Sequence, residues 1–322
     1  MTRRAAATLI LALAAAPAAA RDPVLRFPVD CTLGESCFIQ NYMDRDGGPG
    51  AADHTCGPLT YDGHTGTDIA LHDLAALDRD VTVRAVAPGT VLRLRDGVAD
   101  QGDPTPGEQD CGNGVVVDHG GGWESQYCHL KQGSIAVVPG QRVNARTVLG
   151  AIGLSGRTEF PHLHLTLRED GRPVDPFHPD DPVACADPAP RQLWQDPIAY
   201  RPGGMIGVGL SDTGFDYAAI KAGTAAIATL DPLAPVLLVW AHMFGVKEGD
   251  RVAFRLTAPD GAVLMEKTTD ILRTQARRAE AAGMGRADAP WPPGTYTATA
   301  RLIRDGTDIG TGTATLTVPR AP

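Results

Sequence analysis

Aromatic residues are scarce, at 5% of 322 residues, so the cores of this chain must be built mainly from aliphatic side chains. A surplus of basic charge is also missing. Lys and Arg number 29 against 38 Asp and Glu, a formal net charge of −9, which excludes a general polyanion binder because phosphate contacts demand cations. Nucleic acid is therefore not an expected partner. Beyond the first twenty residues no apolar run reaches the roughly 20 residues that a spanning helix needs, so no transmembrane segment is expected in the mature chain. The H-E-x-x-H pattern, which pairs two zinc-binding histidines with a glutamate base, is absent too.

What is there fits two folded domains, each long enough to bury its own core. The chain opens with Arg3-Arg4, an Ala/Leu-rich stretch from Ala5 to Ala15 and the small-residue ending Ala18-Ala19-Ala20, the form of a secretory signal cleaved before Arg21. Export is expected, to the periplasm rather than the medium. Cys31, Cys37, Cys56, Cys111, Cys128 and Cys185 form an even set, suited to disulfides in an oxidising compartment. A small Cys31/Cys37 loop is expected, and spacing leaves the pairing of the other four open.

From Val81 the chain reads as short strands between glycine-bearing turns: VTVRAVAPGTVLRLRDG, NGVVVDHGGGWESQYCHL and GQRVNARTVLGAIGLSG. Apolar alternation with turn punctuation predicts antiparallel sheet. The aperiodic stretch from Val98 to Cys111 reads as a loop set between two strands. After the strand HLHLTLRED, a run dense in Pro and Asp marks a linker. Beyond it Val236 to Trp240, Arg251 to Ala258, Ala262 to Thr268 and Gly294 to Ile303 predict a small immunoglobulin-like β-sandwich. Its Trp240, Trp291 and Tyr296 are expected in the sandwich core. Ile271 to Ala282 has helical composition and reads as a short helix or a crossing connection. The divisions are a signal at 1–20, a first domain at 21–185, a linker at 186–200 and a sandwich at 201–322.

Three short patterns carry the chemistry. In GHTGTD, His64 and Asp68 stand four apart beside glycines, offering an imidazole and a carboxylate to a cation such as zinc. In PHLHL, His162 and His164 share one face of a strand, roughly 6 to 7 Å apart, while Leu163 and Leu165 face the other way. Two imidazoles on one face without partners are costly to bury, which favours a functional pair. In Tyr127-Cys128-His129-Leu130, His129 closes a strand and is a candidate base or oxyanion donor. Strand alternation puts Cys128 facing away from His129, as a disulfide candidate. Asp44, Asp46 and Asp53 resemble a calcium loop only superficially, and His54, His72, His119, His178 and His242 read as surface or packing residues.

These patterns, in this order and with the APGTV and SG glycine series between them, resemble the lysostaphin/LytM-type peptidoglycan metalloendopeptidases over about residues 56 to 176. The resemblance implies a mainly β peptidase domain of flattened-barrel type. It also implies one zinc held by His64, Asp68 and His164, with His129 and His162 acting on the water and the tetrahedral intermediate; which of the two is the base stays open. Peptidoglycan peptides are the implied substrate. Two neutral imidazoles, one carboxylate and an open fourth position suit a catalytic zinc. The rival readings are a non-catalytic relative that binds the wall or activates another hydrolase, and a carrier-type barrel. The second lacks a lysine on a hairpin tip.

Overall fold

The computed structural model describes residues 22–102, 107, 109–180 and 191–320. The expected signal segment, Cys185 and part of the expected 98–111 loop lie outside the described residues. The first half contributes β1 (Cys37–Asn41), β2 (Thr67–Leu71), β3 (Thr82–Arg84), β4 (Gly89–Arg95), β5 (Asn113–Gly120), β6 (Trp123–Leu130), β7 (Arg142–Val143), β8 (Val148–Ala151), β9 (His162–Glu169) and β10 (Arg172–Val174). The second half contributes β11 (Gly204–Ser211), the helix α1 (Tyr217–Ala222), β12 (Val236–Val246), β13 (Arg251–Thr257), β14 (Val263–Asp270), β15 (Gln275–Gly285), β16 (Gly294–Arg304) and β17 (Thr307–Val318). The protein is mainly β, and its named strand pairs are antiparallel.

One large sheet runs β1-β2-β9-β6-β5-β4-β7, with β10 beside β9. Strand alternation sorts its side chains. Leu163, Leu165 and Leu167 of β9 and Val115 and Val117 of β5 enter a largely aliphatic core, as the scarcity of aromatics requires. The opposite face of β9 carries His162, His164, Thr166 and Arg168. Register turns these into cross-strand rows. Phe38, Ala70 and His162 form one row, Asn41, Asp68, His164 and Cys128 the next, and Thr166 with Gln126, then Arg168 with Glu124, complete the face.

Disulfides join Cys31 to Cys37, as expected, and Cys111 to Cys128. The described part of the expected linker, residues 191–200, lies against the first core, with Leu193 and Trp194 buried in it.

In the second half β11-β12-β15 and β14-β13-β16-β17 form two sheets that share one core, including Leu237, Val239, Phe254, Tyr296 and Leu302. Two expectations change here. The stretch expected as a helix or crossing connection is largely β15, paired along its length with β12; its Ala, Arg and Glu content favours helix locally, but pairing against a buried neighbour overrides that preference. Trp240 lies on the other face from Val239 and Ala241, half-buried against Gly209 rather than inside the sandwich, while Trp291 and Tyr296 do enter the core.

Candidate metal centre

His64, Asp68 and His164 each bring a ligand atom to one point, all within 4.8 Å of one another. The edges of that triangle are 3.2 Å from His64 Nε2 to Asp68 Oδ1, 3.2 Å from His64 Nε2 to His164 Nδ1, and 2.8 Å from His164 Nδ1 to Asp68 Oδ1. Ligands at zinc distances in a tetrahedron stand about 3.3 Å apart, so the donor set fits such an ion.

Each candidate ligand is oriented by what its other atom touches. His64 Nδ1 lies 2.6 Å from the Tyr42 carbonyl; a carbonyl only accepts, so Nδ1 carries the proton and Nε2 is left as the ligand atom. His164 is turned the other way, with Nε2 3.0 Å from Thr166 Oγ1 and Nδ1 toward the centre. Asn41 Nδ2 donates to Asp68 Oδ2 at 2.8 Å, leaving Oδ1 to the cluster. Gly66 makes room: a Cβ there would come within 2.7 Å of His164 Nε2, which accounts for the second glycine of GHTGTD.

The charges fit a cation. Burial alone would raise the pKa of Asp68, but the imidazoles of His64 and His162 hold it well below the usual carboxylate range. Burial opposes protonation of His64, and Asp68 outweighs it, so its pKa is raised. A buried carboxylate ringed by imidazoles is a site whose charge balance a divalent cation would satisfy.

His129 and His162 complete the cluster without joining the triangle. His162 Nδ1 lies 3.0 Å from Phe160 O and its Nε2 3.5 Å from Asp68 Oδ1; His129 Nδ1 lies 2.9 Å from Ser155 O. Both rings therefore keep an unprotonated Nε2. Burial, then the neighbouring His162 and His164, push the His129 pKa down to about 3. Burial also lowers that of His162, against the pull of Asp68.

Cys128 does not face away from His129 as strand alternation predicts. Both line the same cleft, because His129 adopts φ 62°, in the left-handed region, which swings its ring back to the side Cys128 already occupies. Two backbone bonds hold that strained residue, His129 N to Cys111 O and Gly153 N to His129 O. The Cys111–Cys128 disulfide forms part of the cleft wall.

The cleft, of about 360 Å³, is also lined by Tyr61, Gln126, Arg157 and Arg168. Asn41, Thr166, Tyr61 and the two arginines are the residues that sequence patterns missed. Thr166 and Arg168 could have been found by continuing the alternation of His162 and His164. Asn41 sits 27 positions from its partner, with no local signal. Asp44, Asp46 and Asp53 accept backbone N–H groups from turns around them, and no metal-type grouping forms there among the described residues.

Residues 62–176 match the family model described as Peptidase family M23. The chain carries an M23 peptidase domain. Among curated proteins, the chain is similar to peptidoglycan DD-endopeptidase ShyA of Vibrio cholerae, 39% identical over 77 residues, covering 24% of this chain and 17% of that protein. The DD-carboxypeptidase/endopeptidase Mpg of Neisseria meningitidis is 36% identical over 89 residues, covering 28% and 19%. The chain thus spans less than a fifth of the length of these relatives. A crystal structure of a zinc-containing peptidase from Vibrio cholerae overlaps at 24% identity and a TM-score of 0.34, covering 48% of this chain and 39% of that one. The M23 match ends before β11, so the second half of the chain lies outside it.

Proposed function

We propose that the protein is an exported zinc endopeptidase that hydrolyses peptide bonds in peptidoglycan stems or crosslinks. The observation that carries this reading is the triangle of His64, Asp68 and His164, with His129 lining the same cleft and His162 packed beside it against His129 and Asp68. The relatives' peptidoglycan activities and the M23 match support the substrate class, and the two described disulfides suit an oxidising compartment outside the cytoplasm.

In this reading His64 Nε2, Asp68 Oδ1 and His164 Nδ1 hold one zinc, which supplies Lewis acidity by acidifying water and polarising the scissile carbonyl. Asn41, Thr166 and the Tyr42 carbonyl keep the ligand atoms aimed. His129 and His162 do the proton work that a glutamate does in H-E-x-x-H peptidases. One Nε2 accepts the proton of the attacking water, and the other, once protonated, donates to the oxyanion or the leaving amine. Arg168 gives the cleft a cation, while Arg157 is paired with Asp110 at 3.6 Å; the Arg168 guanidinium favours a substrate carrying a carboxylate, as peptidoglycan stem peptides do. In the same reading the second half is an immunoglobulin-like sandwich, supported by its seven strands in two sheets, and it starts at β11, because residues 191–200 pack on the first core.

The test is digestion of purified peptidoglycan by the mature chain, with released fragments identified by mass spectrometry before and after chelation and zinc restoration. Cleavage of peptide bonds that disappears on chelation and returns with zinc is expected. Intact crosslinks in the presence of a zinc-loaded chain would contradict it, and the activator reading would take its place.

A further inference from the structure

The histidine face of the large sheet is covered at one end by the second half of the chain. Phe244 of β12 stacks on Phe38 with ring centroids 4.6 Å apart and 29° between planes. Phe38, Ala70, Ile206 and Phe244 form one buried cluster, against which Phe160 packs. Phe38 and Ala70 stand in the same cross-strand row as His162.

Arg277 of β15 reaches into this junction. Its guanidinium carbon lies 4.8 Å from the Phe160 ring centroid and 5.8 Å from that of Phe38. Nη2 donates to the His72 carbonyl at 3.0 Å, while Nε is buried without a partner. Two aromatic faces and one carbonyl hold a mostly desolvated cation, the environment in which cation–π attraction is strongest.

Phe160 in turn controls His162. Their rings stack at 4.6 Å with 26° between planes, and the Phe160 carbonyl accepts a hydrogen bond from His162 Nδ1–H at 3.0 Å. Thr158 Oγ1 donates to that same carbonyl at 2.8 Å. Thr158 Oγ1 also lies 3.2 Å from His162 Nδ1, so Phe160 covers one side of the ring and shares the Nδ1 proton's hydrogen bonding with Thr158.

We infer that Arg277 is a positioning residue for His162: by holding Phe160 against the imidazole, the β11-β12-β15 sheet keeps the ring set against His129 and Asp68. The second half of the chain is then part of the hydrolytic unit rather than a detachable targeting module. This rests on the reading above that His162 handles a proton. Asp68 and His164 stand in the neighbouring row, and they and His64 are oriented by Asn41, Thr166 and the Tyr42 carbonyl, so the device acts on His162 and leaves metal binding alone.

The experiment uses the full mature chain with Arg277→Met, Arg277→Lys, Phe160→Leu and Phe160→Tyr, the conservative members guarding against variants that fail to fold. Zinc content, kcat and KM on a soluble crosslinked peptidoglycan peptide, and the nitrogen-15 signals of the His162 ring are measured. Because small misplacements of a reacting group cost rate steeply, Arg277→Met and Phe160→Leu should lose about tenfold or more in kcat with KM within about twofold. Zinc content should not change. Arg277→Lys, which keeps a cation over the ring, and Phe160→Tyr, which keeps the stack, should recover most of the rate. In the ring signals, wild type should show one Nδ1–H tautomer and Arg277→Met a mixture or a broadened line. A wild type that cuts nothing while the ring signals respond this way removes the peptidase reading and leaves the positioning standing. Folded, zinc-loaded Arg277→Met and Phe160→Leu chains with unchanged kcat and unchanged ring signals overturn it.

Discussion

His129 and His162 face each other with ring centroids 4.6 Å apart and planes 46° apart, each with Nδ1 against a backbone carbonyl, Ser155 O and Phe160 O respectively. The arrangement leaves each of two neighbouring rings with an unprotonated Nε2. One proton shared between them is favoured over two, since each imidazolium would repel the other. Replacing either ring by Ala should lower kcat by about 10²- to 10⁴-fold, the usual worth of a general acid or base. Zinc should stay bound in both variants. Full activity in His129→Ala or His162→Ala would remove that residue from the proton work, and loss of zinc would make it a ligand.

Asn41 tests how far the ligand set depends on its supports. Its Nδ2 holds Asp68 Oδ2 at 2.8 Å inside a buried site. Asn41→Ala should weaken zinc binding about 10- to 100-fold, as loss of such an orienting partner typically does. Competition with a chelator of known affinity measures this, and an unchanged affinity would show that Asp68 needs no support.

Arg168 continues the His162, His164, Thr166 alternation, about 13 Å along the strand from His164, and its Nη1 is buried without a partner. On matched peptides ending in a free carboxylate or a carboxamide, wild type should prefer the acid. Arg168→Gln should shrink that preference by about tenfold, the worth of a charge-assisted hydrogen bond. An equal preference in both enzymes would leave Arg168 without a role in substrate choice.

His242 makes the fold acid-sensitive. Burial, then Arg277 and His72, push its pKa down to about 3, below the value near 6.5 of an unfolded histidine. Between those values the unfolded chain binds the extra proton, so stability is full above about pH 6.5 and falls as pH drops toward 3. Urea unfolding at pH 7 and pH 4.5 should show His242→Leu losing less stability than wild type, by roughly 2 kcal/mol. Identical losses in the two proteins would mean that His242 is not the sensitive group.

Much of the site was legible because its chemistry is local. His64 with Asp68, and His162 with His164, are close in sequence, and strand alternation alone puts the second pair on one face. The ring of His129 was harder. Alternation sends it to the opposite side from Cys128, and only the left-handed backbone, held by Cys111 and Gly153 from distant segments, brings it round. Asn41 and Arg277 reach the site through tertiary packing that no spacing encodes. In the fold, β15 was obscured by helix-favouring Ala, Arg and Glu, whose pairing with β12 decides the outcome. The strand β17 was overlooked because its Thr and Gly alternation lacks a strongly apolar face, although Leu316 and Val318 anchor it in the core.

The most direct measurement is the zinc content of the purified mature chain by elemental analysis, wild type beside His164→Ala. The account predicts about one zinc per wild-type chain and little or none in the variant, because two of the three edges of the ligand triangle end at His164 Nδ1. A wild type without zinc after incubation with the metal, or a variant that binds it as tightly as wild type, would contradict the assignment of the centre.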